Sequence, residues 1–181
     1  MKNKISYILL ILFATQFSVA QEKEPKSLSD LLEMYNERSV PYISVQELAM
    51  PKTNAIILDA REIKEYNVSH LKNAINVGYD DFQIDSVQKK LLNKDTQIVV
   101  YCSLGIRSEE VAEKLKKAGY TNVFNLYGGI FEWKNNNFTL YDSEEKVTEN
   151  VHTFNAAWSK WLIKGNKIYE KEVKKNKENR E

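Results

Sequence analysis

Gln97-Ile98-Val99-Val100-Tyr101-Cys102-Ser103-Leu104-Gly105-Ile106-Arg107-Ser108 is the stretch on which the fold turns. Its first half is an unbroken β-branched and aromatic run bounded by polar residues, the pattern of a strand buried on both faces. Residues 108–118 then carry Val111, Ala112 and Leu115 at helical spacing, and Gly119 ends that helix. A strand that feeds a helix with only a short loop between is half of a βαβ unit. Cys102 lies at the junction.

The same grammar extends outward in both directions. Ala55-Ile56-Ile57-Leu58 predicts a second buried strand, ending in Asp59-Ala60-Arg61, and Asn122-Val123-Phe124-Asn125-Leu126 a third. Ala74-Ile75-Asn76-Val77 suits a fourth. Helical patterns fall over 63–66 and over 81–92, the latter through Phe82, Val87, Leu91 and Leu92. Strands alternating with helices imply an α/β fold with a mainly parallel central sheet covered by helices on both faces. Ligands in such sheets bind beyond the carboxyl ends of the strands, which is where Cys102 falls.

The flanks divide the chain. Residues 1–20 read as a signal peptide: Lys2 and Lys4, an apolar stretch over 5–17, then Ser18-Val19-Ala20 before a cut at Gln21. The apolar stretch is short for a membrane span, which needs about 20 residues, so no stable membrane anchor is expected after cleavage. Export places the protein in the periplasm or outside the cell. Residues 21–39 are a charged linker and a helix with Leu28, Leu31, Leu32 and Tyr35 on one face, ended by Pro41. Ser44 and Glu47 have the spacing of a capping box. The main domain covers 40–137, and the asparagines at 135–137 mark its edge. Residues 138–181 form an extension with one helix, predicted over 151–162 from the spacing of Phe154, Trp158, Trp161 and Leu162, and a mixed-charge tail over 171–181. That helix is expected to pack on the domain with Leu28, Leu31 and Leu32.

Composition narrows the function. With 43% hydrophobic, 28% charged and 11% aromatic residues the chain is neither disordered nor fibrous. Twenty-six basic and 25 acidic residues produce no field that argues for nucleic acid. One cysteine among 181 residues excludes an internal disulfide and a multi-cysteine zinc site, and two histidines leave little for a histidine metal centre. His70 reads as a turn residue and His152 as incidental. No metal and no cofactor are expected. An unpaired thiol in an oxidising compartment is buried, intermolecularly paired or used.

Its surroundings argue for use. The first amides of a helix lack intrahelical partners, carry partial positive charge and favour an anion. A loop curled over the helix start can aim further N–H groups at the sulfur and favour thiolate over thiol. Gly105 permits the curl, and Arg107 adds a charge that does not titrate away. If that is the device, position 102 should be reachable by small solutes.

The chain resembles a single-domain rhodanese-like sulfurtransferase over roughly 40–137. The residues that carry the resemblance are Leu58-Asp59-Ala60-Arg61, Glu65-Tyr66, His70-Leu71 and Ala74-Ile75-Asn76-Val77. In the second half they are Val99-Val100-Tyr101-Cys102, Gly105, Arg107-Ser108, Ala118-Gly119-Tyr120, Leu126, Gly128-Gly129-Ile130 and Trp133. Ser69 stands where the family usually has Gly, and Lys72-Asn73 where it often has Pro-Gly. The resemblance implies a rhodanese-like three-layer fold and a reaction in which Cys102 takes sulfane sulfur from thiosulfate or a related anion. The resulting persulfide passes to cyanide or to a thiol, which can belong to a protein. It implies that Ser103, Leu104, Gly105, Ile106, Arg107 and Ser108 form the substrate-binding loop and that Asp59 and Arg61 support it or the pocket rim. Four residues separate Cys102 from Arg107. Related cell-cycle phosphatases have one more, which makes a cradle wide enough for phosphate, so the spacing favours sulfur. Three classes follow: a sulfurtransferase, a relay or binding module without turnover, and a phosphatase or arsenate reductase on the same scaffold.

Overall fold

A computed structural model describes residues 24–169. The expected signal peptide at 1–20 and the tail at 171–181 lie outside the described residues. Among those described, no helix is long and apolar enough to cross a membrane.

Five strands form one parallel sheet: β1 (Tyr42–Ile43), β2 (Ile56–Asp59), β3 (Ile75–Asn76), β4 (Ile98–Tyr101) and β5 (Val123–Leu126), in the order β1-β5-β4-β2-β3. The run at 98–101 lies in the middle, with Ile98 opposite Ile56 on one side and Val123 on the other. All four of its residues are buried, which is why the sequence there shows no polar alternation. Its side chains still alternate between two cores. Val99 and Tyr101 pack with Leu31, Leu126, Ile130 and Phe131; Ile98 and Val100 pack with Val87, Val111, Ala112 and Leu115.

The helices are α1 (Leu28–Tyr35), α2 (Val45–Leu48), α3 (Ile63–Val68), α4 (Ile84–Lys90), α5 (Arg107–Lys117) and α6 (Gly129–Asn135). The capping box predicted at Ser44 does start a helix. Ser44 Oγ accepts the Glu47 N–H at 3.2 Å, while the Glu47 carboxylate accepts the Ser44 N–H at 3.0 Å. The α/β fold with a parallel sheet between two helical layers matches the reading of the sequence. α6 is an addition: the Gly128-Gly129 turn opens a helix rather than a loop.

The C-terminal extension departs from expectation. In place of a helix over 151–162, β8 (Asn150–His152) pairs in parallel with β9 (Asn166–Ile168), and Trp158–Trp161 form one 3-10 turn. The β-branched Val151 and Thr153 favour the extended form, and Thr153 N–H closes onto the Ile168 carbonyl at 2.8 Å. Phe154, at φ 63°, then breaks any helical continuation. The polar stretch before it forms a hairpin of β6 (Leu140–Tyr141) and β7 (Val147–Thr148). The packing was nonetheless legible: Leu162 is fully buried in the core that holds Leu31, and Leu28, Trp158 and Trp161 pack against it. Leu162→Ala should therefore cost about 3 kcal/mol of stability, read as a lower urea midpoint.

Candidate functional site

β4 delivers Cys102 to the carboxyl edge of the sheet, and the chain curls through residues 102–106 into α5. The Gly105 N–H lies 3.1 Å from Cys102 Sγ, and Ser108 Oγ, in the first turn of α5, 3.5 Å from it. Gly105 has φ 105° and packs so close to β5 that a Cβ would sit 3.3 Å from the Leu126 carbonyl oxygen. The loop's carbonyls are tied outward. Those of Cys102 and Ser103 accept the Ile130 and Phe131 N–H groups at the start of α6, at 2.9 and 3.2 Å. That of Gly105 accepts two side-chain amides, Asn36 Nδ2 and Asn125 Nδ2, each at 2.8 Å. Carbonyls turned away and an amide turned in make an anion-binding concavity.

The other loop residues have separate duties. Ser103 turns its hydroxyl to Glu65 at 3.3 Å, Leu104 is buried in the core, and the Ile106 carbonyl accepts the Glu109 N–H at 3.1 Å. Arg107 is paired within the protein. Its two terminal nitrogens hold both oxygens of Glu65 at 2.8 Å, and one also reaches Ser103 Oγ at 3.1 Å. Its guanidinium lies 5.1 Å from the Phe154 ring centre. Burial alone would push the Glu65 carboxyl up, but the Arg107 hydrogen bonds and charge, with Arg61 beyond, hold it below its usual range. Arg107 therefore locks the loop to α3, a role that Arg107 alone could not announce in the sequence, because its partner lies 42 residues away.

Asp59 and Arg61 form a fully buried pair, with Arg61 Nη2 2.6 Å from Asp59 Oδ2 and 2.7 Å from the Ser69 carbonyl. The Tyr101 hydroxyl donates to the same carboxylate at 2.5 Å and accepts the Leu71 N–H at 3.2 Å. Burial and the Asp59 charge push the Tyr101 phenol well above its ordinary value. The pair braces the ends of β2 and β4 and makes no contact with the sulfur. His70 is buried as a turn residue, stacked on Tyr66 with ring centres 4.0 Å apart. His152 is not incidental: β8 brings it to the site, where Nδ1 accepts the Phe154 N–H at 3.1 Å and lies 4.0 Å from Glu65. Glu65, His152, Phe154, Asn36 and Asn125 are the site residues that reasoning from sequence did not assign; all but Glu65, which the resemblance named without a role, lacked any motif.

One expectation is corrected. Cys102 is 0% exposed, so a small solute cannot touch the sulfur without a local displacement of what covers it. Its hydrogen-bond partners are the Gly105 amide and the Ser108 hydroxyl. Among the described residues, no group of three or more His, Cys, Asp or Glu is arranged to hold a metal ion.

The rhodanese-like domain family matches residues 44–136, which is 93 of the 181 residues. Among curated proteins, the tRNA uridine(34) hydroxylase of Onion yellows phytoplasma is 34% identical over 112 residues, covering 59% of this chain and 36% of that protein. The enzyme of the same name from Photorhabdus laumondii is 41% identical over 91 residues, covering 49% of this chain and 25% of that protein. The chain thus spans about a third or less of the length of these relatives. Among solved structures, the thiosulfate sulfurtransferase of Pseudomonas aeruginosa superposes with a TM-score of 0.55 at 23% identity, over 73% of this chain and 25% of that one. That likeness establishes the fold.

Proposed function

The chain belongs to the rhodanese-like domain family, and from that premise we propose that it is an exported sulfurtransferase working through a Cys102 persulfide. Once a local displacement uncovers Sγ, the Cys102 thiolate attacks the outer sulfur of thiosulfate. A bond forms between Sγ and that sulfur, the sulfur–sulfur bond of the donor breaks, and sulfite leaves with the electron pair. Cyanide or an acceptor thiol then attacks the terminal sulfur and releases Cys102 as thiolate, which completes a two-step exchange. The observation that carries this reading is the Gly105 N–H on Sγ at the carboxyl end of β4, an arrangement that steadies negative charge on sulfur as an oxyanion hole does on oxygen. With one cysteine in the chain, sulfur is released to an outside thiol.

The test is incubation with thiosulfate and cyanide. Thiocyanate should form with the native chain, and Cys102→Ala should abolish it. A persulfide seen by mass spectrometry without turnover supports a relay module instead, and Cys102-dependent hydrolysis of a phenyl phosphate supports a phosphatase. A second reading, activity on tRNA, is favoured by the names of the curated relatives. Against it, Glu37, Glu110 and Glu113 line the surface beside Ile106, where phosphates would be repelled. Hydroxylation of uridine 34 in tRNA, lost in Cys102→Ala, would favour that second reading.

A further inference from the structure

Gly105 is held at both of its polar groups. Its N–H meets the sulfur at 3.1 Å, and its carbonyl oxygen takes Asn125 Nδ2 and Asn36 Nδ2, each at 2.8 Å. Two donors occupy both lone pairs of that oxygen. Asn125, fully buried on β5, uses its other atom too, because its Oδ1 accepts the Ser108 hydroxyl at 2.7 Å. One side chain thereby ties together the two residues that touch Cys102 Sγ. Asn36 comes from the end of α1, ahead of the matched family segment, and also donates to the Tyr42 hydroxyl at 2.8 Å. Turned this way, Asn36 leaves its own Oδ1 buried with no hydrogen-bond partner. A flipped amide would set that oxygen against the Gly105 carbonyl, so the orientation is dictated by Gly105.

Resting on the sulfur-transfer reading above, we propose that Asn36 and Asn125 are positioning residues that hold Gly105 so that its amide stays aimed at the Cys102 sulfur. Glycine has the widest conformational freedom of any residue, and at φ 105° nothing intrinsic keeps this one in place. The peptide plane is rigid, so tethering the Gly105 carbonyl fixes the plane that follows it and limits the backbone rotation that would swing the Gly105 N–H off the sulfur. An N–H held in that aim favours the anionic form of the sulfur, as thiolate and as persulfide.

The experiment is a pH titration of thiolate ultraviolet absorbance, taken as the difference against Cys102→Ser, which requires no reagent to reach the sulfur. In Asn36→Ala, and in Asn125→Leu compared within a Ser108→Ala background so that no freed hydroxyl donates to the sulfur, the titration midpoint should rise by about 0.5–1 pH unit, roughly three- to tenfold less thiolate at a given pH. The double variant should rise further. A purely structural role would lower the melting temperature and leave the midpoint in place, and that result in folded variants overturns the proposal. If Asn125→Leu does not fold, the half-buried Asn36→Ala carries the test. A shifted midpoint in a protein whose native form makes no thiocyanate would leave the clamp standing and remove the sulfur-transfer reading.

Discussion

Gly129→Ala is expected to destabilise the protein by about 4 kcal/mol, combining a left-handed backbone penalty with overpacking in a buried junction. Gly129 has φ 55°, and a Cβ there would run into the Cys102 carbonyl oxygen and lie 2.8 Å from the Ser103 carbonyl. Both obstacles are backbone, and neither can swing aside as a side-chain tip could. The start of α6 would have to retreat, which breaks the Ile130 and Phe131 N–H bonds to those same carbonyls. The Cys102 peptide is thus displaced along with the helix. Urea denaturation should show the loss of stability, and the fraction that remains folded should lose the proposed sulfur transfer. A variant with the native urea midpoint would mean that α6 can shift without cost, contrary to the packing described.

Glu65→Gln should cost about 3–5 kcal/mol, the range for removing one member of a buried ion pair. Glu65 is fully buried and meets Arg107 with both oxygens at 2.8 Å. The amide keeps the shape but leaves a mostly buried guanidinium without its counter-charge. Because the penalty lies in the orphaned charge, Glu65→Gln with Arg107→Met should recover most of the stability, although not the loop's fixed position. The sign of the pH dependence follows from the depressed Glu65 carboxyl. Its contribution is fully present above the unfolded carboxyl value of about 4.3 and is lost as pH falls through the lower folded value. Native protein should therefore lose stability below about pH 4, and Glu65→Gln should lose less over that window. Equal acid slopes for the two proteins would show that the pair does not couple to folding.

The legible parts of the molecule and the hidden ones differ in kind. β2, β4, β5 and α5 were read within a residue or two, because each repeats one local period over enough positions to exceed chance. β3 was read as a strand but forms only two residues, at the sheet's edge. The segment at 151–162 was misread: its aromatic spacing mimics a helix, while β9, 14 residues beyond the end of β8, claims its backbone as a partner. No window along the chain contains that competition. The site behaved likewise. Cys102 and Gly105 stand out because a cysteine and a turn glycine at a strand-to-helix junction are local features. Arg107 stood out equally, but its meaning changed once Glu65 was found to occupy it.

Periodicity along the chain by itself determined the parallel α/β architecture, the position of Cys102 at a strand's carboxyl end and the curl of the loop, since each arises from neighbours in sequence. Only the tertiary structure decided which groups face the sulfur, that Arg107 is bound to Glu65, that Asn36 and Asn125 grip Gly105, and that Cys102 is covered. Hydrogen bonds and burial depend on distance in space, and residues 36, 65, 105, 125 and 152 become neighbours only when the sheet and its flanking segments close around them.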